Sequence, residues 1–121
     1  MRFLLALLLL PLAACGDDGA ASAPSDCTEV VDAKVTLVAK NIQWDDDCFV
    51  VEAGTTVSFT VDLQDTDAKH DLQVSGQGRR EKTELESGPK LQYLDFEFGP
   101  PGYYQFVCTL HANMEGDIFA E

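Results

Sequence analysis

From position 33 onward the chain is built from short alternating runs. Val57, Phe59, Val61 and Leu63 occupy every second position. A period of two sends successive side chains to opposite faces, so this run predicts a half-buried strand. Val35 and Leu37, with Ile42 and Trp44 beyond them, form an extended apolar stretch. Cys48 to Val51 follows after the turn Asp45-Asp46-Asp47. Leu72 and Val74 alternate again, in a strand that begins near His70. Leu91, Tyr93 and the run Leu94 to Phe98 predict another strand. Tyr104, Phe106 and Cys108 share one face of the next, and Gly116 to Ala120 is the last. Glu52-Ala53-Gly54-Thr55 and Gly99-Pro100-Pro101-Gly102 read as turns. Gln64 to Lys69 is polar, and Gly76 to Pro89 is charged and carries no clear pattern. No segment sustains a helical period. Seven or so short strands punctuated by turns predict an all-β domain, a two-sheet β-sandwich, over residues 33–121.

The N-terminus follows different rules. Arg2 precedes an apolar run from Phe3 to Leu12, broken only by Pro11. That run falls short of the roughly 20 apolar residues that span a bilayer and fits the hydrophobic region of an export signal. It ends in Leu12-Ala13-Ala14-Cys15, which resembles the lipobox of bacterial lipoproteins. The resemblance implies a signal peptide over 1–14 and lipidation at Cys15. Residues 15–32 then read as a flexible tether, since Gly16 to Asp26 is small, polar and aperiodic. The expected location is the extracytoplasmic face of a membrane, periplasmic or outer, with the lipid as anchor.

The chain carries 21 acidic residues against 8 basic ones, a net charge of −13. This excludes nucleic acid as a partner, because phosphate binding needs clustered Lys and Arg. It fits either a soluble exported domain or one that draws in a basic partner. Four cysteines are present. With Cys15 assigned to lipid, Cys27 and Cys48 flank the first predicted strand. In an oxidising compartment a disulfide between them persists, and closing a loop of about 20 residues adds roughly 3 kcal/mol in the chain-entropy model. Cys108 is left over. A free thiol in an exported protein calls for a role.

The scarce metal-binding residues supply one. There are two histidines, His70 and His111, and two methionines, of which Met1 is the initiator. What remains falls into one set: His70, then Cys108-Thr109-Leu110-His111-Ala112-Asn113-Met114. A thiolate and a thioether suit Cu(I), imidazole suits both copper states, and two His with one Cys and a long axial Met is the blue-copper arrangement. Taken singly, a histidine is more often an ordinary core or surface residue, and Met114 core filler. A Cys and a His three positions apart also form half of a zinc site, although structural zinc prefers more thiolates or imidazoles. Asp45-Asp46-Asp47 lacks the spacing of a calcium loop.

These segments resemble the cupredoxins, the small blue copper proteins. The matching pieces are Val51-Glu52-Ala53-Gly54-Thr55-Thr56-Val57, His70-Asp71-Leu72-Gln73-Val74, and Pro101 to Gly116 with its ligand loop. The resemblance covers Val35 to Glu121. The two-residue gaps of the loop are similar to those of amicyanin. It implies a two-sheet Greek-key sandwich holding one copper ion, with His70, Cys108, His111 and Met114 as ligands. It further implies one-electron transfer through the exposed edge of His111, amid a patch of Leu110, Ala112, Asn113 and Pro101. One position departs from the pattern. Where the family often has Asn after the first His, helping to tie the two ligand-bearing loops together, this chain has Asp71. A carboxylate there favours Cu(II) and lowers the potential unless it is screened.

The sequence therefore predicts an electron carrier, not an enzyme. Copper oxidases and nitrite reductases need further copper centres, and the histidines for them are missing. The expected partner is a redox protein with a basic docking surface, a cytochrome or an oxidase. The alternative is a copper-binding or copper-trafficking lipoprotein without a redox role.

Overall fold

The computed structural model describes residues 23–121. The signal segment 1–14, lipidation at Cys15 and most of the tether lie outside the described residues. Eleven strands follow in chain order: β1 (Thr28–Glu29), β2 (Lys34–Ala39), β3 (Cys48–Val51), β4 (Thr56–Leu63), β5 (Lys69–His70), β6 (Gln73–Gly76), β7 (Arg79–Lys82), β8 (Glu86–Ser87), β9 (Lys90–Glu97), β10 (Gly102–Val107) and β11 (Glu115–Ala120). A six-stranded sheet runs in the order β1-β3-β11-β10-β6-β7. A three-stranded sheet runs β2-β4-β9, and β5 pairs with β8 alone. The alternating strands turn their apolar faces to one shared core. Leu37, Val61 and Phe96 of the smaller sheet join Val74, Tyr104, Phe106 and Ile118 of the larger in a single cluster. This is an all-β sandwich, as the alternation predicts.

Four details depart from the sequence reading. The sheet begins before residue 33: Thr28 and Glu29 pair in parallel with Phe49 and Val50, so the last residues of the expected tether are part of the fold. The stretch from Val35 to Trp44 is not one strand. It breaks at a tight turn, where Lys40 and Gln43 exchange backbone hydrogen bonds in both directions and Asn41 and Ile42 both have φ of 55°. Two consecutive left-handed residues are the signature of a type I′ hairpin turn. β9 is inverted relative to its hydrophobicity. Gln92 is buried while Leu91 and Tyr93 face outward, because Gln92 donates to the Glu84 carbonyl at 2.7 Å and to the Glu86 carboxylate at 3.2 Å. The uncommitted segment after Gly76 holds two short strands, β7 and β8, the first fully exposed along the sheet edge.

Cys27 and Cys48 form a disulfide with Cα atoms 4.8 Å apart. It fastens β1 to β3. Beside it, Thr28 Oγ1 donates to Asp46 Oδ2 at 2.7 Å.

The strands that matter for chemistry are β10 and β11. They pair without a break from Gly102 opposite Ala120 to Val107 opposite Glu115. The seven residues between them, 108–114, close one end of the sandwich. β6 lies on the other side of β10, with Gln73 opposite Val107, which brings the segment just before it, His70 and Asp71, to the same end.

Candidate metal centre

Three local devices place the four candidate donors. His70 belongs to the two-residue strand β5, where it pairs with Glu86. Its side chain is fully buried. Cys108 continues the inward face of β10 beyond Tyr104 and Phe106, so the period of two carries its thiol into the end of the core. It is buried and makes no disulfide. His111 and Met114 are set by the loop's own backbone. The Met114 amide donates to the His111 carbonyl at 3.0 Å, and the Cys108 amide donates to the Met114 carbonyl at 2.9 Å. These two bonds fold the loop into a turn closed on its first residue. Met114 is fully buried and His111 partly exposed.

The structure brings together His70, Cys108 and His111, with their ligand atoms all within 4.8 Å of one another. The Nδ1 atoms of both rings face the thiol, at 3.9 Å for His70 and 3.5 Å for His111. The ring centroids are 4.9 Å apart. Met114 enters the same loop end from the chain position that the sequence predicts. Two nitrogen donors and one sulfur around a gap of this size, with a thioether from the closing residue, fit a soft, redox-active cation such as copper. The one thiolate makes a poorer match to structural zinc.

The surroundings of the donors are equally specific. Asp71, next to His70, is buried. Its Oδ1 accepts from the Thr109 amide at 2.7 Å and its Oδ2 from the Thr109 hydroxyl at 2.5 Å. The carboxylate thus joins the two ligand-bearing segments, the part that the resemblance gives to Asn. Asn113 Nδ2 donates to the Ile42 carbonyl at 2.7 Å, tying the ligand loop to the 40–43 turn. His70 Nε2, on the far side of its ring from the thiol, bonds to Asp65 Oδ2 at 2.7 Å. The Ile42 amide, the largest influence, holds the Asp65 carboxyl below its usual range. Burial opposes that shift, and the His70 ring and Asn41 amide reinforce it.

The sequence singles out His70, Cys108, His111, Met114 and Asp71, and the structure brings His70, Cys108 and His111 together. Sequence reasoning missed Asp65, Thr109 and the contact of Asn113 with Ile42. Asp65 sits in the stretch Gln64 to Lys69, which reads only as polar. Its spacing of five residues from His70 is not a pattern that separates it from the other acidic residues.

No protein-family model matches the chain, and no curated protein matches it. Solved structures match its fold. A dithionite-reduced auracyanin from the photosynthetic bacterium Roseiflexus castenholzii aligns at 17% identity over 76% of this chain and 99% of its own, with a TM-score of 0.67. Auracyanin A, a "blue" copper protein from Chloroflexus aurantiacus, aligns at 14% identity over 77% of this chain and 99% of its own, with a TM-score of 0.64. A Cu-containing nitrite reductase from Thermus scotoductus aligns at 22% identity over 73% of this chain and 22% of its own, with a TM-score of 0.55.

Proposed function

We propose that this chain, which has the cupredoxin fold, is a mononuclear blue-type copper protein that carries one electron at a time. The observation that carries the reading is the convergence of His70 Nδ1, His111 Nδ1 and Cys108 Sγ within 4.8 Å at the end of a sandwich where Met114 is also buried. Bound there, copper supplies reversible exchange of a single electron. The protein's own contribution is rigidity. Backbone bonds, the Asp71–Thr109 pair and the Asn113–Ile42 bond fix the donors, and a site that does not rearrange between charge states transfers electrons with little reorganisation. Auracyanin A, alike in fold, is a blue copper protein by name, which supports the same assignment here.

His111 is the one partly exposed donor, flanked by the exposed Leu110, Ala112 and Asn113. Electrons pass through this edge, and its modest apolar rim suits brief, weak docking. The partner is a redox protein with a basic surface, a cytochrome or an oxidase, drawn in by the net charge of −13. The chain itself is a carrier and not an enzyme. It corresponds to about a fifth of the matched nitrite reductase (22%), and beyond His70 and His111 it has no histidines for a second copper centre. Burial of His70, Cys108 and Met114 also weighs against a trafficking role, which needs donors open to hand-over. The disulfide supports export to an oxidising compartment. We place the domain on the extracytoplasmic face of a membrane, anchored through lipid on Cys15.

The test is a copper titration of the purified protein, followed by visible absorption and electron paramagnetic resonance. One equivalent of copper is expected to give an intense thiolate-to-copper band that dithionite bleaches reversibly, and Cys108→Ser to abolish it. A band that survives in Cys108→Ser, or its absence from the native chain, overturns the assignment. For the partner, the rate of electron exchange with a basic cytochrome is expected to fall steeply with added salt. A rate indifferent to salt removes the steering argument. For the anchor, a mass label from acyl chains at Cys15 in membrane-extracted protein is expected.

A further inference from the structure

The His70 ring is held on the side away from the thiol by a carboxylate whose two oxygens are both engaged. Asp65 Oδ2 lies 2.7 Å from His70 Nε2 and accepts from the Ile42 amide at 3.0 Å, and Oδ1 accepts from the Asn41 amide at 2.8 Å. The two amides are adjacent at the tip of the 40–43 turn. That turn is an expensive one for this sequence, since Ile42 has φ of 55°, a left-handed conformation that a β-branched residue rarely adopts. Strained backbone tends to persist where the surroundings over-determine it and the strain serves a site. Here the strained pair aims both its amides at one carboxylate, and the Ile42 carbonyl receives Asn113 of the ligand loop at 2.7 Å. The turn, Asp65 and the ligand loop form one frame around the first histidine.

The frame decides which ring nitrogen is available. The two backbone amides that share the Asp65 carboxylate with His70 are donors, so the Asp65–His70 bond has its proton on Nε2. Nδ1, 3.9 Å from Cys108 Sγ, is then left with its lone pair toward the gap between the donors. A histidine ligand that donates its second N–H to a carboxylate is fixed in tautomer and orientation and becomes a more basic ligand. A more basic ligand favours the more highly charged ion. We infer that Asp65 is a positioning residue of the metal site, which locks His70 for ligation through Nδ1 and shifts the site's preference from Cu(I) toward Cu(II). It acts through His70 without touching the ion. The second half of this inference rests on the copper reading, and the first half does not.

Three variants separate the effects. Asp65→Asn keeps a neutral oxygen for His70 and Ile42 but removes the charge. Asp65→Ala removes both. Asp67→Asn removes a charge from the same exposed stretch and leaves His70 alone. In the metal-free protein, in mildly alkaline buffer, the ring ¹⁵N shifts of His70 are expected to report the Nε2–H tautomer in the native chain and a mixture in Asp65→Ala. In the copper-loaded protein, Asp65→Asn is expected to lower the preference for Cu(II) over Cu(I) about tenfold, a rise in potential of about 59 mV for a one-electron couple, while Asp67→Asn leaves the potential where it was. An Nδ1–H ring in the native chain, or an Asp65→Asn potential equal to the native one, overturns the inference. Should Asp65→Ala fail to fold, Asp65→Asn carries the test. Should the native chain give no thiolate band, the copper reading falls alone, and the tautomer still decides whether Asp65 positions His70.

Discussion

Asp71 and Thr109 are bonded twice, through the Thr109 amide at 2.7 Å and the Thr109 hydroxyl at 2.5 Å. Each follows a donor directly in the chain, Asp71 after His70 and Thr109 after Cys108. The pair therefore sets the spacing between a strand segment and a loop that are 38 residues apart. A buried carboxylate with both oxygens engaged does more than an amide of the same shape, since hydrogen bonds to a charged group are the stronger kind.

Removing that carboxylate separates its two effects. Asp71→Ala is expected to lower stability by about 2 kcal/mol, from the loss of hydrogen bonds to a charged acceptor, read as a shift in urea midpoint. Asp71→Asn keeps an acceptor for the Thr109 amide and is expected to stay within about 1 kcal/mol of the native chain, while the copper potential rises because a negative charge next to the site is gone. An Asn variant with native potential means that this charge is screened.

Met114→Leu conserves volume at a fully buried position, and such exchanges cost less than about 1.5 kcal/mol. The fold and the blue colour are expected to persist. The potential is expected to rise, because the Met114 sulfur, where it reaches a bound copper ion, would donate electron density that favours the higher charge state. Voltammetry decides it, and an unchanged value means that the Met114 sulfur is not a ligand.

The disulfide is a stability device and not a site device. Replacing Cys27 and Cys48 together by Ser is expected to lower the unfolding free energy by roughly 3 kcal/mol and to release Thr28 and Glu29 from β3, seen as faster amide exchange at Val30, whose amide bonds to the Val50 carbonyl at 2.9 Å. The four candidate donors stand on other segments, so the spectrum of the copper-loaded variant is expected to match the native one.

Tyr103 gives a pH signature on the alkaline side of neutrality. Its hydroxyl donates to Asp117 Oδ1 at 2.6 Å. That bond first, then burial and the charges of Asp117 and Glu115, push the Tyr103 phenol from 10.0 up to about 12. The folded state thus holds this proton more tightly than the unfolded one. The stability it contributes is complete below the unfolded value and is lost as pH rises from about 10 to about 12. Thermal unfolding across that window is expected to show the loss in the native chain and to show less of it in Tyr103→Phe.

The donors were legible because the sequence is so poor in alternatives. With two histidines, one spare cysteine and one internal methionine, composition alone narrows the choice, and the two-residue gaps do the rest. Strand β4 was legible for a similar reason, since nothing interrupts its alternation. What stayed hidden depends on contacts distant in sequence. Asn41 alone tolerates left-handed backbone, but Ile42 argues against it; Asp65 and Asn113 meet the turn from elsewhere in the chain. Gln92 occupies an inward position that hydrophobicity gives to Leu91 or Tyr93, because two acceptors from the β8 region await it. Asp65 is one of 21 acidic residues, and only the fold distinguishes it.

The direction of the first strand has a consequence for how the molecule stands. β1 runs parallel to β3, and β3 parallel to β11, which itself starts where the ligand loop ends. The chain therefore enters the sheet at the pole that carries His111, and not at the opposite one. From position 15 to position 27 it spans at most about 40 Å even when fully extended. An acyl chain at Cys15 would moor the domain by its redox-active pole, leaving that pole within a leash's length of the lipid surface and of any acceptor seated there.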